Sequence, residues 1–498
     1  MYAVCLSSDL RGTWTDASWG ETPRPADGRM ALDTDPSMTP SVPQASHDET
    51  TERAVLSDFQ TTFLLEAGAG TGKTQMLLQR LLALLRTRHS SLDRIAVITF
   101  TDKAATELRT RLRAEIESVL ESPLAEAERD ALQTALRQLD RAIVTTVHSF
   151  CAALLRERAF EALLDTHFVV LDQARASALQ DDVWHAWLAT EFNLDSPDSQ
   201  NSQLLRQALR AGLTISHLAS LRDFLSENRD CLVWLPAPVP SSFPTFCHSV
   251  QDAVARLAAL RGCCQDTTDK IWEQITLLID AVPMSYEEEV WERLLIHGLG
   301  LQPRKGKKEN WQPASALREA RTLLMQVKES YLQARSAWFH NLTVGLAHWM
   351  EGYLQAYWVK KQQRCSLDFL DLLVILRDLL KQNHELRRYF QRKFDFLFVD
   401  EVQDTDPLQA EIAFFLAENE PQAEHWTQVT LRPGKLFLVG DPQQSIYRFR
   451  RADIDVYRVV RSIIERQGSI LALSTNFRMR AALVDWTNET FARVLQDL

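Results

Sequence analysis

Residues 62–74 read Thr62-Phe63-Leu64-Leu65-Glu66-Ala67-Gly68-Ala69-Gly70-Thr71-Gly72-Lys73-Thr74. The apolar run at its start has strand length, three glycines follow, and Leu77, Leu78, Leu81, Leu82 and Leu85 then recur at helical spacing. A strand, a glycine loop and a helix in that order turn successive backbone N–H groups into one concavity, and the helix adds the positive end of its dipole. Such a cradle, here Ala67 to Thr74, fits a triphosphate. Lys73 would reach the β- and γ-phosphates, and Thr74 would offer its hydroxyl to Mg²⁺. The strict pattern asks for glycine at position 67, where this chain carries alanine.

Five more apolar runs follow the first: Arg94 to Phe100, Ala142 to Val147, Phe394 to Asp400, Lys435 to Asp441 and Ser469 to Leu473. Each suits a strand buried on both faces, and their alternation with amphipathic helices predicts an α/β fold around a mostly parallel sheet. From Asp172 to Arg364 no such run occurs. Leu324, Val327, Tyr331, Ala334 and Trp338 instead step by three and four, which keeps one helix face apolar. An all-helical insert is therefore expected over 172–364, between two parts of the α/β core at 51–171 and 365–473. Nine of the 13 tryptophans lie between Trp184 and Trp358, and they read as helix-packing aromatics. A prolyl break is expected from Trp234 to Pro244, and Arg304, Lys305, Lys307 and Lys308 form a basic loop, either simply solvated or touching phosphate. Residues 1–50, with five prolines after Glu21 and no apolar periodicity, read as a disordered tail. Met30 and Met38 in that tail are alternative starts.

Composition narrows the class. With 45% hydrophobic and 24% charged residues, the 498-residue chain is a globular protein of about three domains rather than a disordered one. No stretch nears the roughly 18 apolar residues of a membrane span, and no signal peptide is legible, so the expected place is the cytoplasm without membrane attachment. Seven cysteines without a CxxC pair point to reduced thiols rather than a disulfide framework or zinc site. A net charge of −11 argues against indiscriminate coating of nucleic acid and leaves a local basic groove open.

A phosphate cradle needs a metal anchor and a base before it can hydrolyse anything. The run Phe394-Asp395-Phe396-Leu397-Phe398-Val399 ends in Asp400-Glu401, at the crevice end of a parallel sheet, where ligands bind. Asp400 can hold Mg²⁺, and Glu401 can take a proton from the attacking water. Two further strand ends carry rings beside cations. Thr99 to Ala105 holds Phe100 and Lys103, and Gly440 to Arg450 holds Gln444, Tyr447, Phe449 and two arginines. Rings interleaved with cations are what single-stranded nucleic acid needs, because bases stack and phosphates pair. Buried core aromatics are the competing reading of Tyr447 and Phe449. Thr475-Asn476-Phe477-Arg478 adds one more ring and arginine.

Together, Ala67 to Thr74, Thr99 to Ala105, Thr145 to Phe150, Asp400-Glu401-Val402-Gln403-Asp404, Gly440 to Arg450 and Asn476 to Arg478 resemble, in order and spacing, the motifs of UvrD/RecB-like superfamily 1 DNA helicases. Asp-Glu-Val-Gln-Asp, the Gly440 run and Leu367 to Leu373 look most like the RecB and AddA helicase-nuclease branch. The resemblance implies a RecA-like P-loop domain with a helical insert of the 1B kind, ATP and Mg²⁺ as cofactors, and 3′ to 5′ movement on single-stranded DNA during recombination and double-strand-break repair. It implies roles for Lys73, Thr74, Asp400 and Glu401 that agree with those read above. It also gives Gln444 and Arg478 as sensors of the γ-phosphate, Phe477 as the ring under adenine, and Phe100, Tyr447 and Phe449 as base-stacking rings, with His148 in a further DNA-facing motif.

Two departures from the pattern carry expectations of their own. Glu52 stands where the family's adenine-reading glutamine falls, which bears on adenine selectivity. The resemblance also makes this chain an N-terminal half, with 474–498 opening a second RecA-like domain whose arginine finger lies outside these residues, as does any nuclease domain. A second helicase-nuclease subunit is the implied partner. The rival expectation is an ATP- and single-strand-binding subunit without turnover of its own; RNA as the track is a weaker alternative.

Overall fold

A computed structural model describes residues 47–191, 200–240, 243–282 and 288–492. The greater part of the expected tail, residues 1–46, lies outside them, as do 241–242 of the prolyl break. The last four tail residues behave otherwise, since a helix opens at His47 and runs to Ser57. Its anchor is Asp48, whose carboxylate accepts from Ser474 N, Ser474 Oγ and Thr475 N at 3.1, 3.1 and 2.8 Å. A bond to residues more than 420 positions away leaves no periodic trace in the local sequence.

Eight strands occur among the described residues: β1 Phe63–Ala67, β2 Ile95–Thr99, β3 Ile143–Thr146, β4 Val169–Val170, β5 Ser366–Leu367, β6 Phe396–Val399, β7 Leu436–Gly440 and β8 Ser469–Leu473. Six form one sheet in the order β3-β2-β6-β7-β1-β8, and every neighbouring pair is parallel. The sequence explains the order of burial. β2, β6 and β7 are buried at every residue, as befits uninterrupted apolar runs covered on both faces, whereas the edge strand β3 mixes buried with half-buried positions and the edge strand β8 is mostly half-buried, with Ala472 exposed. Helices such as Lys73–Arg86 and Asp102–Glu121 bury Leu77, Leu81, Leu108 and Leu112 against it. Because all six strands run the same way, their C-terminal ends bring residues 68, 100, 147, 400, 441 and 474 to one end of the sheet. This α/β arrangement around a parallel sheet is the one the apolar runs predict, and it agrees with the RecA-like form that the resemblance implies. The separate parallel pair β4–β5, with Val169 opposite Ser366 and Val170 opposite Leu367, is not, since two-residue strands carry no pattern.

The described residues fall into two compact units. One holds the sheet, and the other spans Ala174–Arg364. Within the second, regular structure is helical, dominated by the single helix Ala314–Gln363. Leu324, Val327 and Ala334 on its apolar face are buried with Trp291, Trp311 and Phe246, and Tyr331 and Trp338 pack against them. Trp184, Trp187, Trp349 and Tyr353 form a second aromatic cluster, with ring centroids 4.5–6.4 Å apart. The tryptophans here pack helices. The prolyl break is real at 235–240, but helix resumes at Phe243, one residue before Pro244. The basic loop is tightly held: Arg321 donates to the carbonyls of Lys305 and Gly306, and buried Asp269 accepts from Lys307 N. Among the described residues, no helix is long and apolar enough to cross a membrane.

Candidate functional site

Ala67 is the last residue of β1 and is buried, so position 67 belongs to the strand and needs no glycine. The turn proper is 68–72. Gly70 and Gly72 hold φ of +83° and +90°, left-handed conformations that a side chain would strain. At Gly70 space is short as well, because a Cβ would meet Asn476 Oδ1 at 2.9 Å and Arg478 Cβ at 2.8 Å. Thr71 folds its hydroxyl back to Gly68 O at 2.9 Å, and Gly72 caps the helix that begins at Lys73 and Thr74.

Lys73 is brought to the second half of the chain. Its Nζ stands 3.5 Å from Glu401 Oε2, across 328 residues of sequence. Glu401 directly follows Asp400 at the end of β6 and takes φ +53°, ψ +47°, a conformation rare for any residue with a side chain. The bend turns the chain sharply after the strand, and Asp400 Oδ1 accepts the Glu401 N–H at 3.0 Å. Burial, reinforced by the Glu401 charge, raises the Asp400 carboxyl to about 6, although Glu401 N–H and Lys73 oppose the shift. Asp404 is raised to about 6 for the same two reasons, and its Oδ1 is buried with no hydrogen-bond partner. The crevice thus gathers Asp400, Glu401 and Asp404 around Lys73. Crowding of the three acids favours a bound cation, because added positive charge relieves their mutual repulsion.

Next along the sheet, the end of β7 leads into Asp441. Gln444 Nε2 donates to Asp441 Oδ2 at 2.5 Å, so this glutamine is held by the motif's own aspartate. The chain then delivers Tyr447 and Phe449. Tyr447 lies 4.7 Å from Phe100 and 5.7 Å from Phe449 between ring centroids, and the Arg450 guanidinium sits 5.5–6.0 Å from all three rings. These are not core aromatics, since Phe449 is 77% exposed and Phe100 and Tyr447 are half-buried. Lys103 is exposed on the helix that starts after Phe100. His148 makes a ring contact of its own. Its ring meets Phe369 at 5.0 Å, and burial lowers its pKa, with Asp102 pulling the other way.

Asn476-Phe477-Arg478 closes on the phosphate loop from above. Asn476 Nδ2 donates to Ala69 O at 2.8 Å, Phe477 N donates to Gly70 O at 2.9 Å, and Asn476 Oδ1 accepts from Arg478 N and Met479 N. The Phe477 ring is 75% exposed. Sequence reasoning singles out Phe477 and Arg478 but gives no part to Asn476, the side chain that fastens the segment. It misses Gln403 as well. That glutamine is 1% exposed and spans Glu401 Oε2 at 2.7 Å and Asp441 N at 2.9 Å. The only signal for either is a polar residue inside a motif.

A profile of the UvrD/REP helicase N-terminal domain matches residues 47–463. Among curated relatives, proteins named as the A-type subunit of an ATP-dependent helicase/nuclease recur. That of Pediococcus pentosaceus is 26% identical over 483 residues, covering 87% of this chain and 38% of the relative. Those of Levilactobacillus brevis and Exiguobacterium sibiricum are 29% and 28% identical, covering 92% and 87% of this chain and 38% and 39% of the relatives. The chain therefore spans under two-fifths of the length of these relatives.

Proposed function

The chain belongs to the UvrD/REP helicase family, and on that premise we propose that it is the ATP-binding part of an ATP-dependent DNA helicase that moves 3′ to 5′ on single-stranded DNA in recombination and repair. In this reading 51–171 and 365–473 form one ATPase domain, 172–364 is its helical insert, and 474–498 opens the second RecA-like domain. The observation that carries it is the approach of Lys73 to Glu401 at the mouth of a glycine turn.

The N–H groups of 68–74 and the Lys73 ammonium take the β- and γ-phosphates, while Phe477 lies under the adenine. Thr74 and Asp400 are oxygen donors of the kind Mg²⁺ accepts beside phosphate oxygens, and the ion when bound neutralises phosphate charge. Raised Asp400 suits that task, because a buried carboxylate ionises readily once a cation faces it. Glu401 accepts a proton from water as the water oxygen bonds to the γ-phosphorus and the bond to the ADP oxygen breaks. Gln444 and Arg478 meet the γ-phosphate. Phe100, Tyr447 and Phe449 stack bases, and Lys103, Arg450 and His148 face the strand. A second helicase-nuclease subunit is the partner we propose.

The test is a titration of the purified chain with fluorescent Mg·ADP and with labelled oligo-dT, followed by ATP hydrolysis with and without the oligonucleotide. Nucleotide binding that Lys73→Ala weakens by at least about tenfold, with oligo-dT binding intact, supports the reading. Binding of neither ligand by the folded chain overturns it.

A further inference from the structure

The Glu401 carboxylate has two donors on one oxygen. Oε2 accepts from Lys73 Nζ at 3.5 Å and from Gln403 Nε2 at 2.7 Å. When Lys73 turns to phosphate, the long contact weakens and the short one remains. Gln403 is buried, and the other end of its amide is equally fixed, since Oε1 accepts from Asp441 N at 2.9 Å. There is no slack on that side. A Cβ on Gly440 would meet Gln403 Oε1 at 2.7 Å and Val402 Cγ1 at 2.7 Å, so only glycine lets β7 come this close. The main chain of Gln403 is tied too, because Ser445 Oγ donates to its carbonyl at 3.3 Å. Two residues beyond Ser445 is Tyr447, the middle ring of the trio with Phe100 and Phe449.

We propose that Gln403 is a positioning residue that holds the Glu401 carboxylate and ties its orientation to the 441–449 loop, so that a base seated on Tyr447 and a nucleotide at Lys73 each change the affinity for the other. The proposal rests on the nucleotide and single-strand sites described under Proposed function. Each ligand touches one end of a short chain of contacts. Nucleotide draws Lys73 off Glu401, which leaves Gln403 as the carboxylate's remaining partner. A base on Tyr447 shifts the loop whose first N–H the same amide accepts. By linkage, the two affinity changes must be equal.

The experiment measures oligo-dT affinity of the 498-residue chain by fluorescence anisotropy, without nucleotide and at saturating Mg·ADP. The parent should show a ratio of affinities of at least about fivefold, the lower end of usual site–site coupling. Gln403→Met fills nearly the same volume and removes the amide. It should bring the ratio to one while each ligand alone binds within about twofold of the parent. A packing role alone would shift the melting temperature and leave the ratio in place. A parental ratio of one, or a ratio that survives Gln403→Met, overturns the proposal. Should Gln403→Met fail to fold, Ser445→Ala, which removes only the hydroxyl bond to Gln403 O, must lower the ratio, and an unchanged ratio overturns the proposal. A parent that binds no nucleotide at all is a different result, because it removes the function proposed above and this inference with it.

Discussion

Lys73 Nζ and Glu401 Oε2 lie 3.5 Å apart, with the whole helical unit between them in sequence. The contact is long and little exposed on the lysine side. It therefore holds Lys73 in the crevice loosely enough for a phosphate to displace the carboxylate. Lys73→Ala should weaken Mg·ADP binding by about 10- to 150-fold, as expected when a charged hydrogen bond of about 1.5–3 kcal/mol is removed. Calorimetric titration of parent and variant checks it, and equal affinities would show that the lysine does not face phosphate.

Glu401→Gln keeps the shape and loses the proton acceptor. ATP hydrolysis should fall by about 10²–10⁴-fold, the usual contribution of a general base, while the KM for ATP stays close to the parent's. Steady-state rates in the presence of oligo-dT separate the two parameters. A variant that hydrolyses ATP at the parental rate would pass the role of base to another group.

Phe449 is 77% exposed, with Tyr447 and the Arg450 guanidinium within 5.8 Å of its ring. Phe449→Ala should therefore leave thermal stability nearly unchanged while costing about 1–3 kcal/mol of oligo-dT affinity, with little dependence on base identity. Tyr447→Ala and Phe100→Ala should cost a similar amount of affinity and some stability, because both rings are half-buried. Affinity in all cases should fall as salt rises. An oligo-dT affinity indifferent to all three substitutions would leave the trio without a role in binding.

The parts legible in the sequence are those governed by local pattern. β2, β3, β6 and β7 each sit inside an apolar run such as Lys435 to Asp441, trimmed by one or two residues at its ends, β8 fills the run Ser469 to Leu473, and β1 reaches one residue past Glu66, because strand and pattern share one cause, burial between two helix layers. Leu324, Val327 and Ala334 are legible for the same reason. What stays hidden depends on partners far along the chain. Asp48 reads as tail until Ser474 and Thr475 meet it, and Asn476 has no part of its own until its amide meets Ala69 O. The left-handed backbone of Glu401 is equally invisible, since the sequence offers no glycine or asparagine there to announce it.

Lys435 offers a test of the core that does not involve the nucleotide site. It begins the approach to β7, is 1% exposed, and donates from Nζ to Gln391 O at 2.5 Å. Burial, helped by the charge of Arg432, lowers its pKa from 10.5 to about 7, with Asp395 opposing. The folded protein thus releases this proton near pH 7, while the unfolded chain keeps it until about 10.5. Between those values the unfolded state binds more protons, so stability rises with pH, by at most about 1.4 kcal/mol per unit for one group. Below about pH 7 both states carry the proton and the burial penalty is constant. Above about 10.5 neither does, and the penalty is gone. Lys435→Met cannot titrate, so relative to the parent it should gain most at about pH 6.5 and progressively less towards about pH 9.5, apart from a constant offset for the lost bond to Gln391. Urea unfolding of both proteins at the two pH values measures this. A parent–variant difference that does not change with pH would mean that Lys435 stays charged in the fold across the whole range.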